Sequence, residues 1–460
     1  MLVAPLGAGP AAAAARPFTT AVVDDAFLGS DADTAYERAR SAGASAVRIV
    51  VLWSRVAPER PLNPADPGDP AYRWDDVDRA IRLADQNGLQ PIVDLVNAPR
   101  WAAATGPNPA EAPDPVEFGR FAKAAAARYS GSVAGLPRVR YWQAWNEPNL
   151  ELYLKPQYVG TTPFSPGWYR GMVNQFADAV KSIHTDNLVI AGGTAPFGHD
   201  VNMAPLRFMR DLLCLSPSLE PTCKETIHLD IWAHHPYTSG GPTHHANSPS
   251  DVSLGDLPEM RRVLVAAVKA GNIVSSRPVE FWVTEFSWDT NPPDPKAVPI
   301  QLQARWVAEA LYRMWSAGVS LVTWFTLRDE PLDLSFYQSG LFFRGTSLAT
   351  ARPKPAFTAF RFPVVGIPIR HGFLVWGRSP SGTPGSVIVE QSFKGGWNRL
   401  AILRTDRFGI FQKSFKRPAT GRVRAQLAGR PDRAIPFGLR RVADQLYDPF
   451  GKTTLDPGGP

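Results

Sequence analysis

Eight short runs of β-branched and apolar residues, alternating with longer amphipathic stretches, constrain this chain more than any other feature. They are Thr20–Val23, Ala46–Leu52, Gln90–Val96, Arg138–Ala144, Leu188–Gly192, Leu229–Ala233, Val279–Val283 and Ser320–Phe325. Most stay apolar without alternating, the mark of parallel strands buried on both faces. Between them, Asp75–Asn87 puts Val77, Ala80, Ile81 and Ala84 on one helical face and stops before Gly88, a residue suited to a helix end. Pro166–His184 and Gln301–Ala317 repeat the pattern, the latter stopping at Gly318. Eight strand–helix units predict an α/β fold, a (β/α)8 TIM barrel over residues 17–363. The rival, an open doubly wound sheet, calls for a glycine-rich first turn, and no G-x-G-x-x-G follows the first run.

After Pro363 the period changes. Phe373–Gly377, Ser386–Phe393, Asn398–Leu403, Gly409–Phe415, Gly421–Leu427 and Ala434–Val442 read as short strands between Gly, Pro and Asp turns. They predict a small C-terminal antiparallel β-sandwich domain over 364–448, followed by a tail at 449–460. Trp376 and Trp397 in this part could stack on sugar, although core packing is the more ordinary use of such rings.

Composition narrows the function classes. A hydrophobic content of 44% with 20% charged residues excludes a disordered chain. No apolar run reaches the roughly 20 residues that span a bilayer. The net charge is +7, but the basic residues are scattered without a long run, so nucleic acid is not an expected partner. Cys214 and Cys223 can close a local disulfide or remain two buried thiols; the bridge is the expectation, and it fits an oxidising compartment. Residues 1–16 read as the remnant of a signal peptide, with small residues at Ala13-Ala14-Ala15 but no positive start. Secretion or attachment at the cell surface is therefore expected.

Two stretches carry chemistry. Tyr141-Trp142-Gln143-Ala144-Trp145-Asn146-Glu147-Pro148-Asn149 and Phe281-Trp282-Val283-Thr284-Glu285-Phe286-Ser287-Trp288 each run into a glutamate where a buried strand would open into a loop. Reactive residues of a (β/α)8 barrel sit at the C-terminal ends of its strands. Glu147 follows the fourth strand and Glu285 ends the seventh, so the two can face each other across the barrel mouth. One carboxyl to protonate a leaving oxygen and one to attack a sugar carbon are what glycosidic cleavage needs. A gap of about 5 Å between them gives retention of configuration, and about 7–9 Å gives inversion.

These residues resemble clan A glycoside hydrolases, the retaining barrels with glutamates on strands four and seven. Trp145-Asn146-Glu147-Pro148-Asn149 is similar to the acid/base motif of families 39 and 5, and Val283-Thr284-Glu285-Phe286 to their nucleophile strand. The resemblance implies Glu147 as acid/base, Glu285 as nucleophile and Asn146 as a ligand of the sugar 2-hydroxyl. It implies that Arg48, a cation inside an apolar strand, lies near the nucleophile and holds it ionised. It also implies that His235 contacts substrate, that Tyr237 hydrogen-bonds the nucleophile and that Trp324 stacks on the cleaved sugar. Asn97 stands where family 5 commonly has histidine, a departure from that pattern. Trp53, Trp101 and Trp288 are further candidates for subsite walls.

No cofactor or metal is expected. The histidines at 234, 235, 244 and 245 match no standard zinc spacing, and no cysteine joins them. The resulting expectation is a monomeric, retaining glycoside hydrolase cleaving β-glycosidic bonds of an oligo- or polysaccharide by double displacement. Its rivals are a non-catalytic glycan-binding protein on a barrel scaffold and a transglycosylase. The sugar, the linkage and the choice of exo or endo cleavage are not legible.

Overall fold

The computed structural model describes residues 16–104, 111–199, 201–333, 337–393 and 395–447. The expected leader, apart from Arg16, and the expected tail lie outside these residues. Eight strands close a parallel barrel: β1 (Thr19–Val23), β2 (Ala46–Leu52), β3 (Gln90–Val96), β4 (Tyr141–Ala144), β5 (Leu188–Thr194), β6 (Ile231–His234), β7 (Glu280–Val283) and β8 (Leu321–Phe325). They stand in chain order around the ring, β8 pairing with β1 from Leu321 opposite Thr19 to Phe325 opposite Val23. A helix follows each strand, among them α1 (Asp75–Gln86), α2 (Ser165–Ile183) and α3 (Ile300–Ser316). All eight expected strands are present, as is the expected (β/α)8 fold.

Period-2 alternation decides what enters the barrel. Ala21, Ala46, Ile92, Leu188, Ile190, Ile231, Ala233, Trp282 and Leu321, with Tyr141 against them, form one apolar cluster drawn from all eight strands. Two residues further along five of those strands the inward positions turn polar: Arg48, Asp94, Gln143, Thr284 and Thr323, all buried. The barrel is thus oily at its floor and hydrogen-bonding below its mouth.

Beyond the barrel, β9 (Val364–Ile369), β10 (Gly372–Arg378) and β13 (Ile410–Phe415) form a three-stranded antiparallel sheet. β11 (Ser386–Phe393), β12 (Gly396–Arg404), β14 (Arg422–Leu427) and the two-residue β15 (Phe437–Gly438) form a second. The sheets approach closely: a Cβ on Gly366 would lie 2.7 Å from a Val423 methyl. Strand β9 was not expected from the sequence, and the expected strand Ala434–Val442 shrinks to β15. Pro436 has no N–H for a ladder, and residues 440–446 are exposed.

Trp376 is fully buried and joins this part to the barrel, its ring 6.1 Å from Phe18, 5.6 Å from Tyr312 and 5.6 Å from Trp315. Trp397 is half-buried under the Arg424 guanidinium, 3.9 Å from its ring centre. Trp376→Ala should therefore lower unfolding free energy by about 3–5 kcal/mol, the cost of emptying a core aromatic site, and Trp397→Ala by about 1 kcal/mol. Urea unfolding checks the pair, and equal losses would remove Trp376 from its place as the joint.

Candidate active site

Strand β4 stops at Ala144, and the next residues take conformations that few side chains adopt. Trp145 has φ 74° and Glu147 φ 40°, in the left-handed region where a non-glycine residue costs about 1–3 kcal/mol. Neighbouring backbone holds them there. Trp145 N–H donates to the Leu95 carbonyl at 3.1 Å and Glu147 N–H to the Gly193 carbonyl at 3.0 Å. The buried Trp145 indole donates to the Tyr153 carbonyl at 3.0 Å. Asn149, also buried, stitches the loop to the turn after β5: its amide donates to the Ala195, Phe197 and Met203 carbonyls, and its oxygen accepts from Ala195 N–H at 2.8 Å.

Strand β5 bulges between Gly192 and Thr194. Gly193 has φ 55°, and a Cβ there would stand 3.0 Å from Gln143 Nε2 and 3.5 Å from His235 Nε2. The bulge brings those two side chains in behind Glu147.

Glu285 lies two residues past β7. Arg48 Nη1 donates to its Oε1 at 2.6 Å, and the Tyr237 hydroxyl donates to its Oε2 at 3.1 Å. Arg48 is itself fully engaged: Nη2 donates to Asp94 Oδ2 at 2.7 Å and to Asn146 Oδ1 at 2.8 Å, and Nε to Gln143 Oε1 at 3.1 Å. His235 Nδ1 is 2.9 Å from Glu147 Oε1 and 3.8 Å from Glu285 Oε2, and its Nε2 is 3.0 Å from the Thr284 hydroxyl. One oxygen from each glutamate and one His235 nitrogen all lie within 4.8 Å of one another. These three donors have the types a metal takes, but the Arg48 guanidinium already supplies the positive charge beside Glu285.

The two carboxyls are pushed apart. Burial, the largest influence, raises the Glu147 carboxyl above its ordinary 4.5, and the Glu285 charge adds to this against the pull of His235. Burial also pushes Glu285 upward, but His235, Arg48 and Tyr237 together hold it below its ordinary value. Burial pushes Asp94 up to about 7 against the pull of Arg48, and its Oδ1 has no partner.

A cavity of about 650 Å³ opens over this cluster. Asn97, Asn146, Glu147, Tyr237 and Glu285 line it, with Asp25, Tyr153, Phe197, Phe325 and Tyr337, which the sequence had not singled out. Other expected contacts fail. Trp324 is buried, donates to the Ser339 carbonyl and packs on Phe286 and Phe360, so it is not a platform. Strand alternation turns it outward and Phe325 inward. Trp288 is buried against Phe286 and Trp306 and donates to the Gly240 carbonyl; Trp101 donates to the Ala57 carbonyl and packs edge-on to the buried Trp53. None of these four indoles lines the cavity. Arg48 and His235 are buried beneath the carboxyls, where they position them rather than touch a ligand.

Elsewhere, a disulfide joins Cys214 and Cys223, their Cα atoms 5.1 Å apart. His234 is buried between the Thr194 hydroxyl and the Val252 carbonyl, and burial pulls it down to about 3, so it is neutral. His244 and His245 pair with Asp444 and Asp256.

Paired carboxyls at the mouth of a (β/α)8 barrel, fixed by a buried arginine, define a glycoside hydrolase of clan A. Residues 13–253 match the family model for cellulase (glycosyl hydrolase family 5). With more than half its length matched, the chain belongs to that family. The matched span holds Arg48, Asn146, Glu147 and His235 but ends before Glu285. No curated protein matches the chain.

Solved structures share the fold. A family 39 glycoside hydrolase from Bacteroides cellulosilyticus WH2 is 16% identical, with a TM-score of 0.53 over 87% of this chain and 81% of that one. A family 39 enzyme from Xanthomonas axonopodis pv. citri is 15% identical, with a TM-score of 0.52 over 91% and 93%. A monomeric β-xylosidase from Caulobacter crescentus CB15 is 14% identical, with a TM-score of 0.51 over 87% and 95%.

Asp94 was missed although it interrupts an apolar strand just as Arg48 does. Asp94→Ala should lower unfolding free energy by about 3 kcal/mol, because it strips the buried guanidinium of one of its two counter-charges. Denaturant unfolding reads this directly, and a loss below about 1 kcal/mol would mean that Glu285 alone suffices.

Proposed function

We propose that the protein is a retaining β-glycoside hydrolase in which Glu285 is the nucleophile and Glu147 the acid/base. The observation that carries this is that one oxygen of each carboxyl lies within 4.8 Å of the other, a close approach that suits direct attack better than a water held between carboxylate and sugar. Glu285, ionised beside Arg48, attacks the anomeric carbon while the bond to the leaving oxygen breaks and Glu147 gives that oxygen its proton. Once Glu285 is esterified its charge is gone, and the Glu147 carboxyl falls toward ordinary acidity. It then takes a proton from water as that water releases the sugar.

Asn146 has a share in the first step. Arg48 fixes its Oδ1, which leaves the amide N–H groups to donate into the cavity toward the sugar 2-hydroxyl, a contact that strengthens as positive charge grows on the ring. Substrate is an oligo- or polysaccharide or a simpler glycoside, and the Cys214–Cys223 bridge favours action outside the cytoplasm.

Glu285→Gln should reduce kcat by several orders of magnitude on any aryl β-glycoside the enzyme accepts. Glu147→Ala should slow substrates with poor leaving groups most, and azide should restore part of its rate as a β-glycosyl azide. Proton NMR of the first product should show the β-anomer; an α-anomer would contradict double displacement.

The profile of kcat/KM against pH follows from the two shifts. Activity needs Glu285 ionised and Glu147 protonated, so it falls as pH drops through the lowered Glu285 value and again as pH rises through the raised Glu147 value. Glu147→Gln should abolish the alkaline limb alone. A wild-type profile without that limb would count against Glu147 as the acid.

A further inference from the structure

Two consecutive acids follow β1, and the fold uses only one of them. Asp24 is saturated: its Oδ1 accepts from Ala26 N–H at 2.8 Å, and its Oδ2 accepts from the Thr326 hydroxyl, from Leu327 N–H at 2.9 Å and from Arg328 N–H at 3.2 Å. It ties the end of β1 to the loop after β8. The Asp25 side chain makes no hydrogen bond or ion pair among the described residues, yet Asp25 lines the same cavity as Glu285 and lies close enough to feel its charge. An exposed carboxylate held in the wall of a reactive cavity, with nothing in the fold to bind, is free for a ligand.

The ring of strands says which part of the ligand. A leaving group must lie beside Glu147, where Leu150, Tyr153 and Phe197 line the cavity and no charged residue other than Glu147 does. The sugar ring therefore extends from Glu285 on β7 toward the adjoining β8 and β1, where Phe325 and Asp25 stand. Sugar hydroxyls are donors, and a carboxylate is the strongest acceptor a side chain offers them.

We infer that Asp25 is a specificity residue: its carboxylate accepts hydrogen bonds from hydroxyls of the sugar whose bond is cleaved, and it rejects sugars that carry a carboxylate. This rests on the glycoside hydrolase reading above. No lysine, arginine or histidine is among the described residues lining the cavity. Arg48 beneath it is committed to Glu285 and Asp94, and Arg55, the cation acting on Asp25, stands outside the lining. A uronic acid would thus meet three carboxyls in the described wall and no cation there, Arg55 lying behind Asp25.

The test is steady-state kinetics of wild type, Asp25→Asn and Asp25→Ala on 4-nitrophenyl β-glucoside, its 3-, 4- and 6-deoxy analogues, and the β-glucuronide. Asp25→Ala should lower kcat/KM for the glucoside by about 10- to 100-fold, the scale of hydrogen bonds to a charged group. On the analogue lacking the contacted hydroxyl the loss should shrink to about 3-fold or less, and Asp25→Asn should fall between. Wild type should use the glucuronide far less well than the glucoside, and Asp25→Asn should narrow that gap.

Equal losses on every analogue would reduce Asp25 to a structural part and overturn the inference. So would a wild-type preference for the glucuronide. If wild type cleaves none of these glycosides, calorimetry with glucose and its deoxy analogues separates the two ideas. Weaker binding by Asp25→Ala, absent for one analogue, upholds Asp25 whether or not these glycosides are cleaved. Undiminished or undetectable binding overturns the inference and leaves the hydrolase reading to its own tests.

Discussion

A single guanidinium, Arg48, holds the site together. It is buried in the barrel interior between two carboxylates, Asp94 at 2.7 Å and Glu285 at 2.6 Å, and it also fixes the side-chain oxygens of Asn146 and Gln143. A cation in such a place is costly unless it is fully paired. Here the pairing, with His235 and Tyr237, helps to separate two otherwise similar glutamates. His235 and the shared guanidinium hold Glu285 below its ordinary value, while burial holds Glu147, which Arg48 does not touch, above its own. In the proposed mechanism, that charge pattern is what would let one cavity hold a nucleophile and an acid.

The barrel makes that arrangement affordable. Its floor is an apolar layer drawn from all eight strands, and only the next inward layer carries Arg48, Asp94, Gln143 and Thr284. Polar groups are therefore stacked where they can bond to each other rather than to water. The glycine bulge in β5 brings Gln143 and His235 close, and left-handed turns at Trp145 and Glu147 put Glu147 in the cavity wall. The strained turn is held by the hydrogen bond from Glu147 N–H to the Gly193 carbonyl and by those of Asn149.

Much of this was legible in the sequence because buried parallel strands write themselves as continuous apolar runs. The strand-end glutamates stood out for the same reason: each closes a run that has no other use for a charge. Arg48 and Tyr237 stand where the family resemblance put them, both bonded to Glu285, and Asn146 lines the cavity beside them. The tryptophans did not. Trp101, Trp288 and Trp324 are large apolar residues near the mouth, and sequence does not say which way a ring turns once a strand has ended. Trp324 and Phe325 differ by one position, and alternation alone sends the first into the helical layer and the second into the cavity. Asp94 was missed because its partner comes from another strand, although an acid within Pro91-Ile92-Val93-Asp94-Leu95-Val96 was a visible signal. Asp25 carried no signal at all: nothing in an Asp-Asp pair says that one member is spent on the backbone and the other left open.

The division of charge between the two glutamates can be read without knowing the sugar. Carbon-13 NMR of side-chain carboxyls in protein labelled at glutamate, with the two signals assigned by Glu147→Gln and Glu285→Gln, follows each protonation as pH changes. The account predicts that Glu285 titrates below the ordinary glutamate value and Glu147 above it, and that Arg48→Met brings the two closer. Coincident titrations in the wild type, or the opposite order, would contradict it.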